Sequence, residues 1–216
     1  SKCNQLSIDS IVLGRDGRLS GKSLMNALEN SLLSNGINVE NIGIVTSPLL
    51  YYAAKKHSSK SGIMVTGSHN PKEYNGIKMI INDEPVSGTE IFKLVGTSNN
   101  SNTKGNSTIN KDVIDNYIEE VKSKSIQSNH EIKVVIDCGN GAAGVIAPKL
   151  FKALGFNVVE IYSEVDGNFP NHHPDPGKPE NLKDLSDKVL SEKANIGLAF
   201  DGDGDRLGVV DNKGKI

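Results

Sequence analysis

Short apolar runs alternate along the chain with longer stretches in which apolar residues recur every three or four positions. The first pattern is typical of buried strands and the second of amphipathic helices. The predicted strands cover residues 7–13, 42–45, 62–66, 76–81, 133–137, 157–162 and 196–200. The predicted helices cover residues 21–34, 112–124, 142–154 and 181–193, and another begins near Pro48. Strands that alternate with helices predict α/β units with mixed, mainly parallel sheets.

A polar stretch separates two blocks of this pattern. Between residues 97 and 108, every position holds Ser, Thr, Asn, Gly or Lys. Such a stretch cannot bury apolar area, so we expect a mobile loop or a link between domains. The sequence therefore predicts two α/β domains, residues 1–108 and residues 109–216.

Composition and charge exclude several classes of protein. The 216-residue chain is 36% hydrophobic, and its net charge of −2 leaves no basic stripe that would bind nucleic acid. Its apolar runs are far shorter than the roughly 20 residues that cross a bilayer, and no signal-peptide pattern opens the chain. Two cysteines cannot form a disulfide framework. We expect a cytoplasmic protein with neither a nucleic-acid nor a membrane partner.

Ser68 is the first candidate for chemistry. It follows a predicted strand directly, at the sheet edge where open α/β sheets bind ligands, and His69 and Asn70 lie beside it. A hydrolase nucleophile elbow needs glycine two residues before and two after the serine, but Thr66 and Asn70 stand there. A plain Ser/Asn-rich turn before Pro71 remains the alternative to a functional serine loop.

Lys78 lies soon afterwards, on a short predicted strand between apolar residues. Its ammonium group could point into a cleft and meet a phosphate group. It could equally mark the solvent-facing edge of the sheet, which is the more common arrangement.

Three carboxylates at alternating positions form the second candidate site. Asp201, Asp203 and Asp205 are separated by glycines that let the backbone curl, and they repel one another unless a cation neutralises them. Oxygen ligands suit Mg²⁺ or Ca²⁺. An EF-hand is excluded because its sixth and twelfth positions hold Arg206 and Asn212. An acidic turn remains the alternative, and Arg206 is suited either to pair with an aspartate or to grip a substrate phosphate.

Two other segments are weaker candidates. His172 and His173 lie in a Pro-rich loop, where we expect packing or solvation to be commoner than transition-metal binding. Residues 137–144 are rich in glycine after a strand, but their spacing matches neither the P-loop nor the dinucleotide fingerprint. We expect these glycines to allow close helix–strand packing.

Taken together, four segments resemble the α-D-phosphohexomutase superfamily, in its bacterial phosphomannomutase/phosphoglucomutase branch. They are residues 14–21, 66–71, 164–174 and 201–206. The resemblance covers nearly the whole chain, and residues 83–110 are its least family-like part.

The resemblance implies a reversible movement of phosphate between C6 and C1 of a hexose, mannose or glucose. A hexose 1,6-bisphosphate is the implied intermediate and activator, and a small phosphosugar is the substrate. Ser68 carries the phosphate in this scheme, and its oxygen joins three carboxylates around Mg²⁺. The implied metal ligands are Ser68, Asp201, Asp203 and Asp205; the implied catalytic residues are Ser68, His69 and Lys78; the implied substrate-binding residues are Arg206 and Asn70.

The superfamily has four domains around a cleft, so the resemblance also implies absent parts. We expect this chain to hold most of the first domain, without its start, and all or nearly all of the second. The C-terminal domains of the same chain would then be its missing partners, and the 216-residue piece alone would be inactive or nearly so. The alternatives are a phosphoglucosamine or phosphopentomutase-like member, or a non-catalytic module that binds Mg²⁺ and phosphate.

Overall fold

The computed structural model describes residues 8–93, 103–126 and 131–216. Its first sheet has six strands in the order β5-β4-β3-β1-β2-β6. Strands β1, β2, β3 and β6 are parallel, and β4 and β5 are antiparallel to their neighbours. The elements of this unit are β1 Ser10–Arg15, α1 Gly21–Ser34, β2 Asn38–Ile44, α2 Ser47–Lys56, β3 Gly62–Val65, β4 Ile77–Ile81, β5 Glu84–Val86, α3 Gly88–Lys93 and β6 Ser107–Ile109.

The second sheet has four strands, and their order and directions repeat those of strands β4, β3, β1 and β2 in the first sheet. Strands β7, β8 and β9 are parallel, and β10 pairs antiparallel with β9 at one edge. Its elements are α4 Val113–Lys124, β7 Lys133–Asp137, a 3₁₀ turn Ala142–Val145, α5 Ala147–Ala153, β8 Asn157–Ile161, a 3₁₀ turn Pro179–Leu182, α6 Lys183–Glu192, β9 Ile196–Phe200 and β10 Leu207–Asp211. The predicted fold class, two α/β units with mixed and mainly parallel sheets, is confirmed.

The prediction for residues 97–108 is wrong at its end. Ser107 and Thr108 belong to β6, which pairs in parallel with β2 through Val39 and Glu40. An edge strand needs only backbone partners, so exposed polar side chains do not prevent it from forming. Residues 97–102 lie outside the described part. The division of the chain at residues 108 and 109 stays a prediction, and the first sheet runs through that point as far as Ile109.

Other differences arise where turns interrupt helices. The stretch predicted as one helix over 142–154 is a 3₁₀ turn followed by α5, because Pro148 lacks the N–H that a continuous helix would use. The helix predicted over 181–193 likewise begins as a 3₁₀ turn and ends at Glu192, before Lys193 in the left-handed region. Strand β1 begins at Ser10, later than predicted, and extends to Arg15.

Alternation along the strands builds the core of each unit on both faces of its sheet. Ile11 and Leu13 of β1 face α1, whereas Val12 faces α2 with Leu49 and Leu50. Each such buried aliphatic side chain contributes roughly 1.5–3 kcal/mol of transfer free energy. In the second unit, α6 covers one face of the sheet and α5 covers part of the other.

The two units also pack against each other. Helix α4 of the second unit lies against α2 of the first, where the rings of Tyr52 and Tyr117 meet edge-on at 5.0 Å. The backbone N–H of Ser47 donates to the carbonyl of Asp203 across the units, at 2.9 Å. The loops that follow β1, β3, β7 and β9 all leave the carboxyl ends of parallel strands, where α/β sheets form their sites. Within the described ranges, every helix is too short or too polar to span a membrane.

Candidate phosphoryl-transfer site

The serine loop, residues 66–76, leaves the end of β3 in a tight turn. Ser68 lies in the left-handed region at φ +49°, which is uncommon for a residue with a side chain. Its backbone N–H donates to Thr66 Oγ1 at 2.8 Å, and the N–H of Asn70 donates to the carbonyl of Gly67 at 2.9 Å. These bonds hold the turn in the conformation that directs the Ser68 hydroxyl towards the second unit.

Buried polar groups support this loop from beneath. Asp16 Oδ2, at the end of β1, accepts hydrogen bonds from Thr66 Oγ1 at 2.8 Å and from the N–H of Gly67 at 3.2 Å. Arg18 pairs with the same carboxylate and reaches the carbonyl oxygens of the loop. Both charged side chains are fully buried, so the pair depends on these hydrogen bonds.

The aspartate loop, residues 201–206, curls directly after β9. Asp201 Oδ1 accepts the backbone N–H groups of Asp205 at 3.0 Å and of Arg206 at 3.1 Å. The N–H of Gly204 donates to the carbonyl of Asp201 at 3.0 Å. This curl brings one carboxylate oxygen from each of Asp201, Asp203 and Asp205 within 4.8 Å of the others.

The aspartate loop fits a hard divalent cation. Three carboxylates supply oxygen ligands of the kind that Mg²⁺ prefers. Asp203 Oδ1 is buried and has no hydrogen-bond partner among the described residues. A buried acceptor without a partner is costly, and a cation at this point would satisfy it.

Lys78 reaches the same carboxylates from β4, so it lies inside the site and not on the outer edge of the sheet. Its Nζ atom is 2.7 Å from Asp203 Oδ2 and 2.6 Å from Asp205 Oδ2. Burial acts to lower the pKa of Lys78, but the hydrogen bonds to Asp203 and Asp205 outweigh it and raise that pKa above its ordinary value. Burial acts to raise the pKa of Asp203, yet the bonds from Lys78 and Ser47 lower it overall. Lys78 is therefore a charged ammonium group in this state.

The serine loop and the aspartate loop meet although they are far apart in sequence. Ser68 Oγ donates to Asp201 Oδ2 at 2.9 Å. Burial first, and then the charge of Asp203, raise the pKa of Asp201 to about 6. Ser47 Oγ, at the start of α2, donates to Asp203 Oδ2 at 2.5 Å. The first unit therefore supplies two hydroxyl groups, those of Ser68 and Ser47, and the ammonium group of Lys78 to a carboxylate cluster on the second.

The remaining predicted residues lie at the rim of this centre. His69 is half-buried, and its Nδ1 atom has no hydrogen-bond partner within the described ranges. Asn70 is exposed beside it. The Arg206 guanidinium is exposed and forms no ion pair with any described residue, so the alternative in which it pairs with an aspartate does not occur here.

The weaker candidates pack against the site. His172 Nε2 lies 2.9 Å from Asp137 Oδ2, and His173 Nε2 lies 2.7 Å from the carbonyl of His69, so both are packed. The Gly-rich segment after β7 lies against the aspartate loop, since the N–H of Ala142 donates to the carbonyl of Gly202 at 3.0 Å. The close packing expected of its glycines is made with loops: a Cβ atom on Gly141 would lie 2.9 Å from the carbonyl oxygen of Gly202, and one on Gly144 would lie 2.0 Å from that of Ser163.

Sequence reasoning assigned no role to Asp16, Arg18 or Ser47. Asp16 and Arg18 stand in a segment rich in glycine and charge, which is typical of an exposed turn, and yet both are buried. One available signal was position, because they follow the carboxyl end of β1, next to the end of β3 in the sheet. Ser47 offered no such signal, because a serine at the start of a helix is common as a cap.

Two family models match nearly all of the chain. The model described as phosphoglucomutase/phosphomannomutase, alpha/beta/alpha domain I, matches residues 3–105, and the model of domain II in the same family matches residues 115–214. These matches agree with the two α/β units of the fold.

Individual relatives carry the same names. A phosphomannomutase/phosphoglucomutase of Pseudomonas syringae pv. tomato is 50% identical over 210 residues, which cover 96% of this chain and 45% of the relative. A phosphoglucomutase of Neisseria gonorrhoeae is 46% identical over 100% of this chain and 48% of its own length. A crystal structure of a phosphoglucomutase/phosphomannomutase family protein from Burkholderia thailandensis aligns with a TM-score of 0.92 and 43% identity, over 100% of this chain and 49% of that one. The chain spans about half the length of the curated relatives it matches.

Proposed function

The chain belongs to the phosphoglucomutase/phosphomannomutase family, and on that premise we propose that its parent protein is a phosphohexomutase. It moves a phosphate group reversibly between C6 and C1 of a hexose, mannose or glucose. The phosphate passes through Ser68, and a hexose 1,6-bisphosphate is the intermediate. The relatives named for this activity and the meeting of the two loops support the proposal.

The observation that carries the proposal is the hydrogen bond between Ser68 Oγ and Asp201 Oδ2 at 2.9 Å. A serine alone is a weak nucleophile and needs a neighbouring group or an oriented electrophile. Here its hydroxyl lies against a carboxylate cluster that fits a cation, with the Lys78 ammonium group on the same cluster. Serine, cation site and ammonium are the parts that phosphoryl transfer requires.

In the first transfer, Ser68 is phosphorylated and a hexose 6-phosphate binds with its C1 hydroxyl near the phosphorus atom. The hydroxyl oxygen attacks phosphorus, the bond between phosphorus and Ser68 Oγ breaks, and the sugar becomes a 1,6-bisphosphate. The proton of the sugar hydroxyl passes to His69, which we assign as the acid–base group because its Nδ1 atom is unpaired within the described part of the chain. Ser68 Oγ leaves as an alkoxide and takes a proton from solvent water.

In the second transfer, the bisphosphate has turned over and presents its C6 phosphate to the serine. Ser68 Oγ attacks this phosphorus atom and gives its proton to solvent water, and the bond from phosphorus to the C6 oxygen breaks. That oxygen takes a proton from His69, so hexose 1-phosphate leaves and the phosphoserine is restored. Both transfers take place at the same point, where Ser68 Oγ lies against the aspartate loop. Because the bisphosphate turns over between the transfers, one serine serves both ends of the sugar.

The surrounding residues hold charge and substrate. Asp201, Asp203 and Asp205, with an oxygen of phosphorylated Ser68, would hold Mg²⁺, and the cation would offset negative charge on the transferring group. Lys78 supplies a further positive charge beside the same oxygens. The exposed guanidinium of Arg206 and the amide of Asn70 contact the substrate at the rim.

We also propose that the 216-residue chain alone holds this centre without turning over sugar. The relatives are about twice as long, since the chain covers 45% to 48% of them. In the family, later domains read the sugar hydroxyls and clamp the phosphate that does not react. Sugar turnover by the isolated chain at a rate comparable with a full-length relative would contradict this part of the proposal.

The test of the proposal is covalent labelling of Ser68. Full-length parent protein is incubated with Mg²⁺ and glucose or mannose 1,6-bisphosphate, and intact mass is measured before and after. We expect one phosphate, about 80 Da, to be added and to map to the peptide that contains Ser68. The Ser68→Ala variant should gain no mass, and Ser163→Ala, a serine outside the site, should label like the wild type.

Failure of wild-type labelling at saturating bisphosphate would overturn the mechanism and leave the passive binding module. Labelling by a glucosamine bisphosphate in preference to both hexose bisphosphates would move the assignment to the phosphoglucosamine alternative.

A further inference from the structure

Five carbonyl oxygens of the serine loop face side-chain donors. Those of Ser68, Asn70, Pro71 and Tyr74 accept hydrogen bonds from Arg18. The carbonyl of His69, between them, is 2.7 Å from His173 Nε2. Four consecutive carbonyl groups, from residue 68 to residue 71, are therefore bound by side chains, and that of Pro71 also accepts the backbone N–H of Tyr74 at 3.0 Å.

Arg18 uses its whole guanidinium group for this purpose. Its Nη2 atom donates to the carbonyls of Ser68 and Asn70, both at 2.7 Å, and Nη1 donates to those of Pro71 at 2.6 Å and Tyr74 at 2.9 Å. Nε donates to Asp16 Oδ2 at 3.2 Å. An arginine has five N–H donors, so every one of them has an acceptor. The side chain is 0% exposed, and such complete use is what makes a buried guanidinium tolerable.

We propose that Arg18 is a positioning residue for Ser68, and that His173 completes its hold on the serine loop. The proposal rests on the proposed function, in which the Ser68 oxygen must meet phosphorus in line. We call Arg18 and His173 together the main-chain clamp. By drawing the carbonyls to one side, the clamp keeps Ser68 at φ +49° and its hydroxyl on the Asp201 side of the turn.

The clamp is assembled from both units. The Phe169 ring of the second unit lies over the Arg18 guanidinium, with 5.4 Å from its centroid to Cζ. The loop of the second unit that carries Phe169, residues 164–174, approaches the backbone beside Arg18 closely at Gly167. A Cβ atom at Gly167 would lie 2.6 Å from the carbonyl oxygen of Gly17. His173 belongs to the same loop. The unit that carries the carboxylates therefore also fixes the serine that faces them, so the clamp ties the position of Ser68 to that of the aspartate loop.

Lysine cannot replace Arg18 in this role. A lysine ammonium keeps the positive charge for Asp16, but it has three donors in a compact group and cannot span four carbonyls. The Arg18→Lys variant therefore separates positioning from charge. Arg15→Lys is its matched control, since the half-buried Arg15 lies at the same strand end and donates to the carbonyl of Asp16, outside the serine loop.

The first experiment measures the clamp itself by amide hydrogen exchange in the full-length protein. We expect exchange across residues 67–75 to rise at least about tenfold in Arg18→Lys and in His173→Leu, while strands β1 and β3 keep their protection. His173→Gln, whose amide N–H can still donate, should recover most of the protection. Unchanged exchange in both Arg18→Lys and His173→Leu would overturn the proposal. His173 is half-buried, so its variants decide the question even where Arg18→Lys folds poorly.

The second experiment measures the rate at which a hexose 1,6-bisphosphate phosphorylates Ser68. A displacement of about 1 Å can cost about 100-fold in rate, so we expect a loss of that order in Arg18→Lys at saturating bisphosphate, with little change in its KM. Arg15→Lys should match the wild type. Equal rates in wild type and Arg18→Lys would contradict the positioning role. A wild type that is never phosphorylated would instead refute the proposed function, while the exchange experiment would still test the clamp.

Discussion

The serine loop and the aspartate loop are built on opposite principles although they meet at one hydrogen bond. In the serine loop the protein satisfies its own backbone carbonyl groups, since Arg18 donates to four of them and is itself paired with Asp16. In the aspartate loop, the Lys78 ammonium group pairs with Asp203 and Asp205, and the third carboxylate, Asp201, has no ion pair among the described residues. One buried oxygen there, Asp203 Oδ1, finds no partner in the same ranges.

This difference indicates which loop depends on a ligand. A loop whose backbone carbonyls are held by buried side chains keeps its shape without help, as a nucleophile must between two transfers. A loop with excess buried negative charge is electrostatically incomplete and is completed by a cation. We therefore expect changes in the aspartate loop to act through metal binding, and changes around the serine loop to act on phosphoryl transfer at constant metal affinity.

The largest effect is expected from Asp203→Asn, which removes a charge from the cluster and leaves its shape. Loss of a group that merely supports a metal ligand costs 10–100-fold in affinity, so loss of a ligand should cost at least about 100-fold in Mg²⁺ affinity. Isothermal titration calorimetry measures this. Asp187→Asn, an exposed carboxylate on α6, is the control and should bind like the wild type. Equal affinity in both variants would show that the triad is an acidic turn.

A smaller effect is expected where the two loops touch. Gly202 has no room for a side chain, because a Cβ atom would lie 2.4 Å from the carbonyl oxygen of Ser68. Gly202→Ala should push the loops apart and slow phosphorylation of Ser68 by about tenfold to 100-fold, with a smaller change in Mg²⁺ affinity. Gly88→Ala is the control, since a Cβ atom there meets no atom of the described residues within 4 Å. A wild-type rate of Ser68 phosphorylation in Gly202→Ala would contradict the claim that this reaction depends on the close contact between the two loops.

Replacing the ammonium group tests the charge imbalance. Lys78→Met leaves Asp203 and Asp205 without their shared cation, so the free energy of unfolding without metal should fall by about 1–3 kcal/mol. Mg²⁺ should restore more stability to this variant than to the wild type, as thermal unfolding would show. The control Lys188→Met breaks an i,i+4 surface pair with Glu192, which contributes little to stability and does not respond to metal. If Mg²⁺ stabilises Lys78→Met no more than it stabilises the wild type, the claim that the aspartate loop carries excess buried negative charge is contradicted.

The smallest effect concerns the support of the serine loop by the second unit. Burial acts to lower the pKa of His172, but its bond to Asp137 outweighs burial and raises that pKa above 6.5. A raised pKa in the folded state means that protonated His172 stabilises the fold. This contribution is complete below pH 6.5 and is lost as the pH rises through the higher folded value. Unfolding curves at several pH values should show the loss in the wild type and not in His172→Gln; parallel curves would contradict it.

The sequence predicted seven of the ten described strands, all but β5, β6 and β10, and both chemical loops, because their signals are local. An apolar run followed by Ser68, or by three spaced aspartates, can be recognised within ten residues. It did not predict Arg18 as the support of Ser68, since that role depends on β1 and β3 being neighbours in the sheet. Strand β6 was also missed, because Ser107 and Thr108 pair through backbone atoms alone and carry no apolar pattern.

The central claim is that phosphorylated Ser68 and the aspartate loop form a single centre around one cation. Paramagnetic relaxation tests it directly, with Mn²⁺ replacing Mg²⁺ at the same kind of oxygen ligands. In the phosphorylated full-length protein, the ³¹P signal of the phosphoserine should broaden beyond detection at one equivalent of Mn²⁺, and it should stay sharp in Asp203→Asn at that concentration. A sharp ³¹P signal in the wild type, with Mn²⁺ shown to be bound, would contradict the account.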